Sequence, residues 1–493
     1  MTASTAPRTH QGEERMLVDG ELTGSASGAR YDNINPATEE VLGHTAAATA
    51  ADMDRAIAAA RRAFDETTWS TDHAFRARCL EQLDQALHDE QEALRAEIVA
   101  EAGAPITTTY IAQLDWPLAD ALAYPAALIK DYEWERPLPD TELFGAVNHR
   151  RVVKEATGVV AAITPWNFPF EVVVNKIAPA LAAGNTVVLK PAPDTPWTAT
   201  RIGRLVAERT DIPAGVFNVV TTPDTAVAEQ LLTDPRVDLV SFTGSTATGR
   251  RIVELSAATM KRTVLELGGK SAMIVLDDAD FAATVPQSMA VCMHAGQGCA
   301  LNSRLLVPRA RYAEAVEIAT ATFGQVPYGD PTDPANFAGP LINARQHERV
   351  LGYLEKGRQE GARVTVGGGQ PEHLPKGFYV QPTVFADVDN GMTIAREEIF
   401  GPVLVVIPFD DDAGAVRIAN DSPYGLAGSV FSADDERADR VARRIRAGSL
   451  MVNGGMFYGA DAPFGGYKQS GIGRQNGREG LEQYLETKTI GSR

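Results

Sequence analysis

Three residues of this chain have types and settings suited to carbonyl chemistry. Cys299 lies in Ala295-Gly-Gln-Gly-Cys-Ala300. Gly296 and Gly298 relieve the backbone around it of Cβ clashes. The thiol can then meet a substrate, and its own backbone N–H can face an oxyanion formed there. Glu266 stands upstream in Val264-Leu-Glu-Leu-Gly-Gly-Lys270. A carboxylate in an apolar strand needs a purpose or a partner, and one with a raised pKa suits activation of water as a general base. Asn167 follows an apolar run in Thr164-Pro-Trp-Asn-Phe-Pro169. Its amide can cap the next helix or join the Cys299 N–H in holding an oxyanion, a role worth about 10²–10³ in rate.

A second group suits an anionic ligand. Ser241-Phe-Thr-Gly-Ser-Thr-Ala-Thr-Gly249 closes a strand and opens a helix. Gly244 permits the tight turn, Ser245 and Thr246 offer hydroxyls, and the new helix offers free N–H groups. It is not the Gly-x-Gly-x-x-Gly fingerprint, and many such turns bind nothing. Lys190, ending Val187-Val-Leu-Lys, can reach a ribose or a phosphate or simply face solvent. His294 precedes Cys299 in what reads as the same helix, and it is read as structural.

The elements that must position these groups fall into two series. Strands are expected at 158–164, 186–190, 217–220, 238–243 and 262–266, with helices near 170–182, 197–209, 224–232 and 246–258. Such alternation predicts a mostly parallel sheet covered on both faces, with ligands at the carboxyl ends of its strands. A second series has strands at 272–276, 304–307, 363–366, 403–407, 428–431 and 449–452, with helices near 280–294, 309–322, 342–360, 411–419 and 434–446. Ahead of both, apolar periodicity predicts a helix over 52–65 and another from Phe75 to near Gly103, with Cys79 on its buried face. Residues 132–157 and the tail 482–490 fit neither series and read as edge strands awaiting a partner.

Composition narrows the class. The 493 residues are 44% apolar and 22% charged, with net charge −18. That excess of acid argues against a nucleic-acid partner. No apolar run is long enough to cross a membrane, and residues 1–15 read as a mobile tail without a signal-peptide core. Three cysteines and no ligand-spaced His/Cys set predict neither a disulfide scaffold nor a metal site. A reducing, cytoplasmic setting is expected.

Taken together, Thr164–Pro169, Lys190, Phe242–Gly249, Glu266–Lys270, Gly296–Cys299, Glu398–Pro402, Asn453 and Pro463–Gly471 resemble the NAD(P)-dependent aldehyde dehydrogenase superfamily, over nearly the whole chain. The resemblance implies an α/β fold with a Rossmann-like cofactor domain (16–131 and 158–267), an α/β catalytic domain (268–469) and a small β oligomerisation element (132–157 and 470–493). It implies a homodimer or homotetramer. Cys299 becomes the nucleophile, Glu266 the base and Asn167 the oxyanion donor. Thr164, Pro165, Trp166, Gly244, Gly249, Leu267 and Gly268 become cofactor-binding positions. Lys190 matches the adenosine-ribose contact, Ser245 a pyrophosphate contact, and Glu398 and Phe400 the contacts to the nicotinamide ribose and ring.

NAD is favoured over NADP, although Pro193, followed by Asp194, replaces the ribose-binding Glu of many NAD-preferring relatives. Phe168, Phe170, Phe457, Tyr458 and Phe464 flank the motifs as candidates for a funnel that takes an apolar or aromatic aldehyde. Asn175 stands where some relatives carry a large aromatic, which makes the channel wider or more polar. The alternatives are a CoA-acylating semialdehyde dehydrogenase, against which Glu266 argues, and a non-catalytic scaffold.

Overall fold

The computed structural model describes residues 12–493. Residues 1–11 of the expected tail lie outside the described residues. The rest of that segment is anchored: the Glu13 carbonyl accepts from Thr200 Oγ1 at 2.7 Å and the Glu14 carbonyl from the Ala46 N–H at 2.9 Å.

Five parallel strands form the heart of the first sheet. In spatial order they are Arg262–Glu266, Leu239–Thr243, Val159–Ile163, Thr186–Lys190 and Phe217–Val219. This is a Rossmann-like arrangement, with the chain reversing its winding direction beside Val159–Ile163. Their β-branched, apolar sequences suit burial on both faces. Val160 and Ala162 enter one core with Val173 and Ile177 of the helix Pro169–Ala182. Val159 and Ala161 enter the opposite core with Met53 and Ile57 of the helix Ala50–Glu66. That second helix starts on a capping box between Thr49 and Asp52.

Register sets the level of the motifs. Ile163 pairs with Lys190 and with Phe242, and Thr243 pairs with Glu266. The segments carrying Asn167, Lys190, Ser245 and Glu266 therefore reach the same edge of the sheet. The short strand Gly471–Ile472 extends that edge antiparallel to Leu265 and Glu266.

After Glu266 the chain passes through Leu267–Lys270 into Ser271–Val275, the first strand of a seven-stranded sheet. Its order is Arg363–Val366, Thr383–Ala386, Val403–Phe409, Asn302–Pro308, Ser271–Val275, Ala427–Phe431, Ser449–Val452. Thr383–Ala386 was not foreseen; it is four residues long and is flanked by irregular chain, so periodicity gives little signal.

Three expectations change. The single helix expected from Phe75 to Gly103 is two, His73–Asp89 and Gln91–Ala102. Between them Glu90 leaves helical geometry at φ −110°, ψ 16°, and its carboxylate binds Arg201 and Arg204. The helix expected over 280–294 is mostly 3₁₀, from Val285 to Gly296, with Pro286 at its start and a kink from Met293. The two unplaced segments pair with each other: Leu485–Ser492 lies antiparallel to Ala146–Ala156, which pairs in turn with Glu135–Leu143. No helix among the described residues is long and apolar enough to cross a membrane.

Candidate active site

The loop bearing Cys299 is held by its backbone shape. His294, Ala295 and Gly296 are all left-handed, with φ of 49°, 54° and 77°. Such a run is unfavourable for His and Ala and must be maintained by its surroundings. A Cβ on Gly296 would lie 2.0 Å from the Gly401 carbonyl oxygen, and one on Gly269 2.4 Å from that of Cys299. The glycines thus let three backbone segments close on one point. His294 sits in the kink rather than in a common helix with Cys299. Burial pushes its pKa down to about 4, so it is neutral and is no source of positive charge for the thiol.

Cys299 is partly accessible, whereas Cys79 and Cys292 are buried. Glu266 lies near enough for its charge to act on this thiol, and its Oε1 is buried without a hydrogen-bond partner among the described residues. Burial pushes the thiol pKa upward, and the nearby carboxylates Glu266, Glu171 and Glu398 add to that. Burial also raises Glu266, while the Lys176 ammonium opposes the rise. Lys176 is itself buried and depressed by desolvation; its Nζ donates to Gln475 Oε1 at 3.0 Å and to Ser241 Oγ at 3.4 Å. A carboxyl and a thiol both raised by burial, beside a buried amine, can exchange protons with a substrate at ordinary pH.

Asn167 does not cap the following helix. Its N-cap is Phe168, which makes no side-chain cap bond. The Asn167 Nδ2 donates instead to the Gln297 carbonyl at 2.9 Å, and the Asn167 carbonyl accepts from Gln113 Nε2 at 2.8 Å. An amide nitrogen carries two protons, so one remains for an oxyanion.

The opposite side of the crevice fits a dinucleotide. Glu398 lies against Gly268, where a Cβ would sit 2.4 Å from Oε2, and its Oε1 accepts from the Gly269 N–H at 2.8 Å. Leu267 packs on Gly249, leaving no room for a side chain there. Ser245 caps the helix Thr246–Ser256 through the Thr248 N–H, and helix geometry leaves the Thr246 and Ala247 amides free beside it. Gly244 makes the turn between strand and helix. Lys190 is buried at its strand end, pushed down to about 8 by desolvation, and donates to the Pro191 carbonyl at 2.7 Å. Thr164 holds the neighbouring turn through its N–H to the Lys190 carbonyl. Pro165 follows it, and Trp166 then meets Phe400 edge to face at 5.5 Å. Phe400 has φ 62°, a strained value for an aromatic residue. Asp194 is engaged by Asn343 at 2.8 Å.

The aromatic group divides. Phe457 and Phe464 stack at 6.1 Å, Phe168 is half-buried against His294, and Tyr458 donates to Glu171 Oε1 at 3.0 Å. Phe170 lines no funnel; it is fully buried in the helix–sheet core, because its position on the helix faces the sheet.

Gln113, Gln297, Lys176 and Glu171 were not singled out from sequence. Lys176 and Glu171 did leave a signal, two charges in a segment, Phe170–Leu181, that is apolar apart from them and Asn175. The two glutamines left none, since their role depends on loops remote in sequence.

The chain is similar to known proteins along nearly its whole length. The aldehyde dehydrogenase family model matches residues 23–490. A 3-succinoylsemialdehyde-pyridine dehydrogenase from Pseudomonas sp is 41% identical, over 96% of this chain and 97% of its own. The structure of betaine aldehyde dehydrogenase from Staphylococcus aureus in complex with NAD+ matches with TM-score 0.95 at 36% identity, covering 100% of this chain and 97% of that one. Mycobacterium tuberculosis aldehyde dehydrogenase complexed with NAD+ matches with TM-score 0.92 at 42% identity, covering 97% of each. By the reach of the family match and by its similarity to these relatives along the whole chain, this chain belongs to the aldehyde dehydrogenase family.

Proposed function

We propose that the chain oxidises an aldehyde with an apolar or aromatic body to the carboxylic acid, with NAD as acceptor. The observation that carries this reading is the partly accessible Cys299 thiol between the tethered amide of Asn167 and the buried, unpartnered Oε1 of Glu266, whose charge acts on it. Cys299 Sγ attacks the carbonyl carbon, and its proton passes to water, directly or through Glu266, which leaves Glu266 ionised for the later step. The alkoxide of the thiohemiacetal is held by the Cys299 N–H and the spare Asn167 N–H. Thr164, Pro165, Trp166, Lys190, Gly244, Ser245, Gly249, Leu267, Gly268, Glu398 and Phe400 would hold the dinucleotide. When bound, it supplies the acceptor for the hydride that leaves the thiohemiacetal carbon. Glu266 then takes a proton from water as that water attacks the thioester, and the Cys299 thiolate leaves. Lys176 favours the ionised carboxylate that this step needs.

NAD is favoured over NADP because the Asp194 carboxylate sits near Lys190 and would repel a 2′-phosphate. The NAD+ bound in the two solved relatives supports the same choice. The three-stranded sheet that ends the chain carries exposed Leu143, Phe144 and Val147, which supports self-association as a dimer or tetramer. A reducing compartment suits a thiol that must stay unoxidised.

The test is an aldehyde panel run with NAD and with NADP, without CoA. Reduced cofactor and carboxylic acid should form in equal amounts, faster with NAD. Reduced cofactor that forms only when CoA is added would show thioester transfer instead of hydrolysis.

A further inference from the structure

One half-buried carboxylate in the crevice has no part in the chemistry above. Glu171 begins the helix Pro169–Ala182, one turn beyond Asn167. It is close enough to Cys299, Glu266 and Lys176 to act on all three electrostatically. Its surroundings are built. Asn175, one turn further along, donates Nδ2 to Glu171 Oε1 at 2.6 Å, and the Tyr458 hydroxyl donates to the same oxygen at 3.0 Å. Both bonds go to Oε1. Oε2 has no donor among the described residues, yet it is not among the buried atoms left without a partner, so it keeps access to open space.

Tyr458 adjoins Phe457, which stacks on Phe464. The carboxylate therefore stands beside the aromatic candidates for the substrate funnel, one turn along the chain from the Asn167 amide. An acceptor that a bound ligand covers discriminates strongly: a ligand with a donor satisfies it, and one without leaves it desolvated and unpaired. The surroundings are also acidic. Asp120 accepts from the Ala460 N–H, and Asp461 lies beside it. Burial pushes Glu171 up to about 7, with the Tyr458 and Asn175 bonds opposing the rise. That is consistent with a site lacking a full complement of donors.

We infer that Glu171 is a specificity-determining residue, selecting aldehydes whose body carries a hydroxyl donor and disfavouring those that carry a carboxylate. This rests on the oxidation reading above and narrows its substrate class.

The experiment uses benzaldehyde, its 3-hydroxy and 4-hydroxy derivatives and 4-carboxybenzaldehyde, none of which can cyclise. Within each of wild type, Glu171→Leu and Glu171→Gln, the ratio of kcat/KM for the hydroxylated over the parent aldehyde is measured. Wild type is expected to favour at least one hydroxybenzaldehyde about tenfold and to turn over the carboxylate poorest. Glu171→Leu should bring the hydroxyl ratio to about one, and Glu171→Gln, which keeps an acceptor, should retain part of it. Binding of the same compounds to Cys299→Ala, and to Cys299→Ala with Glu171→Leu, separates the two readings. A wild type that oxidises nothing overturns the oxidation reading, while a hydroxyl preference in binding that is lost with Glu171→Leu still supports this one. No hydroxyl preference in wild type, or the same preference in Glu171→Leu, overturns it.

Discussion

The Asn167 side-chain amide donates to the backbone carbonyl of Gln297 at 2.9 Å. This bond ties the turn after a strand of the first sheet to the cysteine loop of the second. Gln297 is itself fixed, its Nε2 donating to the His294 carbonyl at 3.1 Å and its Oε1 accepting from the Ile342 N–H at 2.9 Å. Asn167 and the loop that carries Cys299 are therefore placed by one network.

Replacing Asn167 by Ala removes both the proposed oxyanion donor and this tether. The expected loss in kcat is about 10²–10³-fold. Steady-state kinetics with a reactive aldehyde would check it, and a loss below tenfold would show that another group holds the oxyanion.

Cys299→Ala should abolish aldehyde-dependent formation of reduced cofactor. Glu266→Gln should give one burst of reduced cofactor and then stall, because the thioester forms but is not hydrolysed. Stopped-flow absorbance reads both. A normal steady state in Glu266→Gln would mean that a different base activates water.

The pH dependence follows from the directions of the shifts. Glu266 and Cys299 are both raised by burial, and the proposed mechanism uses both deprotonated. Each group's active fraction grows as pH rises through its folded pKa, so kcat/KM should climb from neutral into alkaline solution. The Glu266 charge also raises Cys299. Removing that charge in Glu266→Gln should move the burst profile to lower pH. A flat wild-type profile, or a burst profile displaced upward in the variant, would contradict this.

Gly268→Ala would place a Cβ 2.4 Å from Glu398 Oε2. The displaced carboxylate should weaken dinucleotide binding, with KM for NAD rising about tenfold while folding stability changes little. Titration with NAD measures it. An unchanged KM would remove Glu398 from the cofactor site.

Gly296→Ala meets a harder obstacle, since φ is 77° and the Gly401 carbonyl oxygen lies 2.0 Å from the new methyl. Backbone must move, and a loss of at least ~1–3 kcal/mol is expected in urea unfolding. An unchanged midpoint would show that this loop is slack.

Much of this protein is determined by local sequence. The five parallel strands announce themselves because residues such as Val159–Ile163 and Thr186–Lys190 are apolar on both faces and bounded by turn residues. Cys299, Glu266 and Asn167 stand out because reactive or polar groups beside glycine, proline or apolar strand residues need a reason. Their convergence is a matter of tertiary structure. Register brings Glu266 level with the turns after the neighbouring strands, and glycine contacts at 268, 269 and 296 press three remote segments together. The same distinction explains Phe170 and Glu171. Adjacent in sequence, they differ by about 100° around a helix, so one fills the core while the other reaches Tyr458 and the crevice. Periodicity gives the rotation between them. Which face meets the sheet and which meets the substrate is decided only when the helix packs.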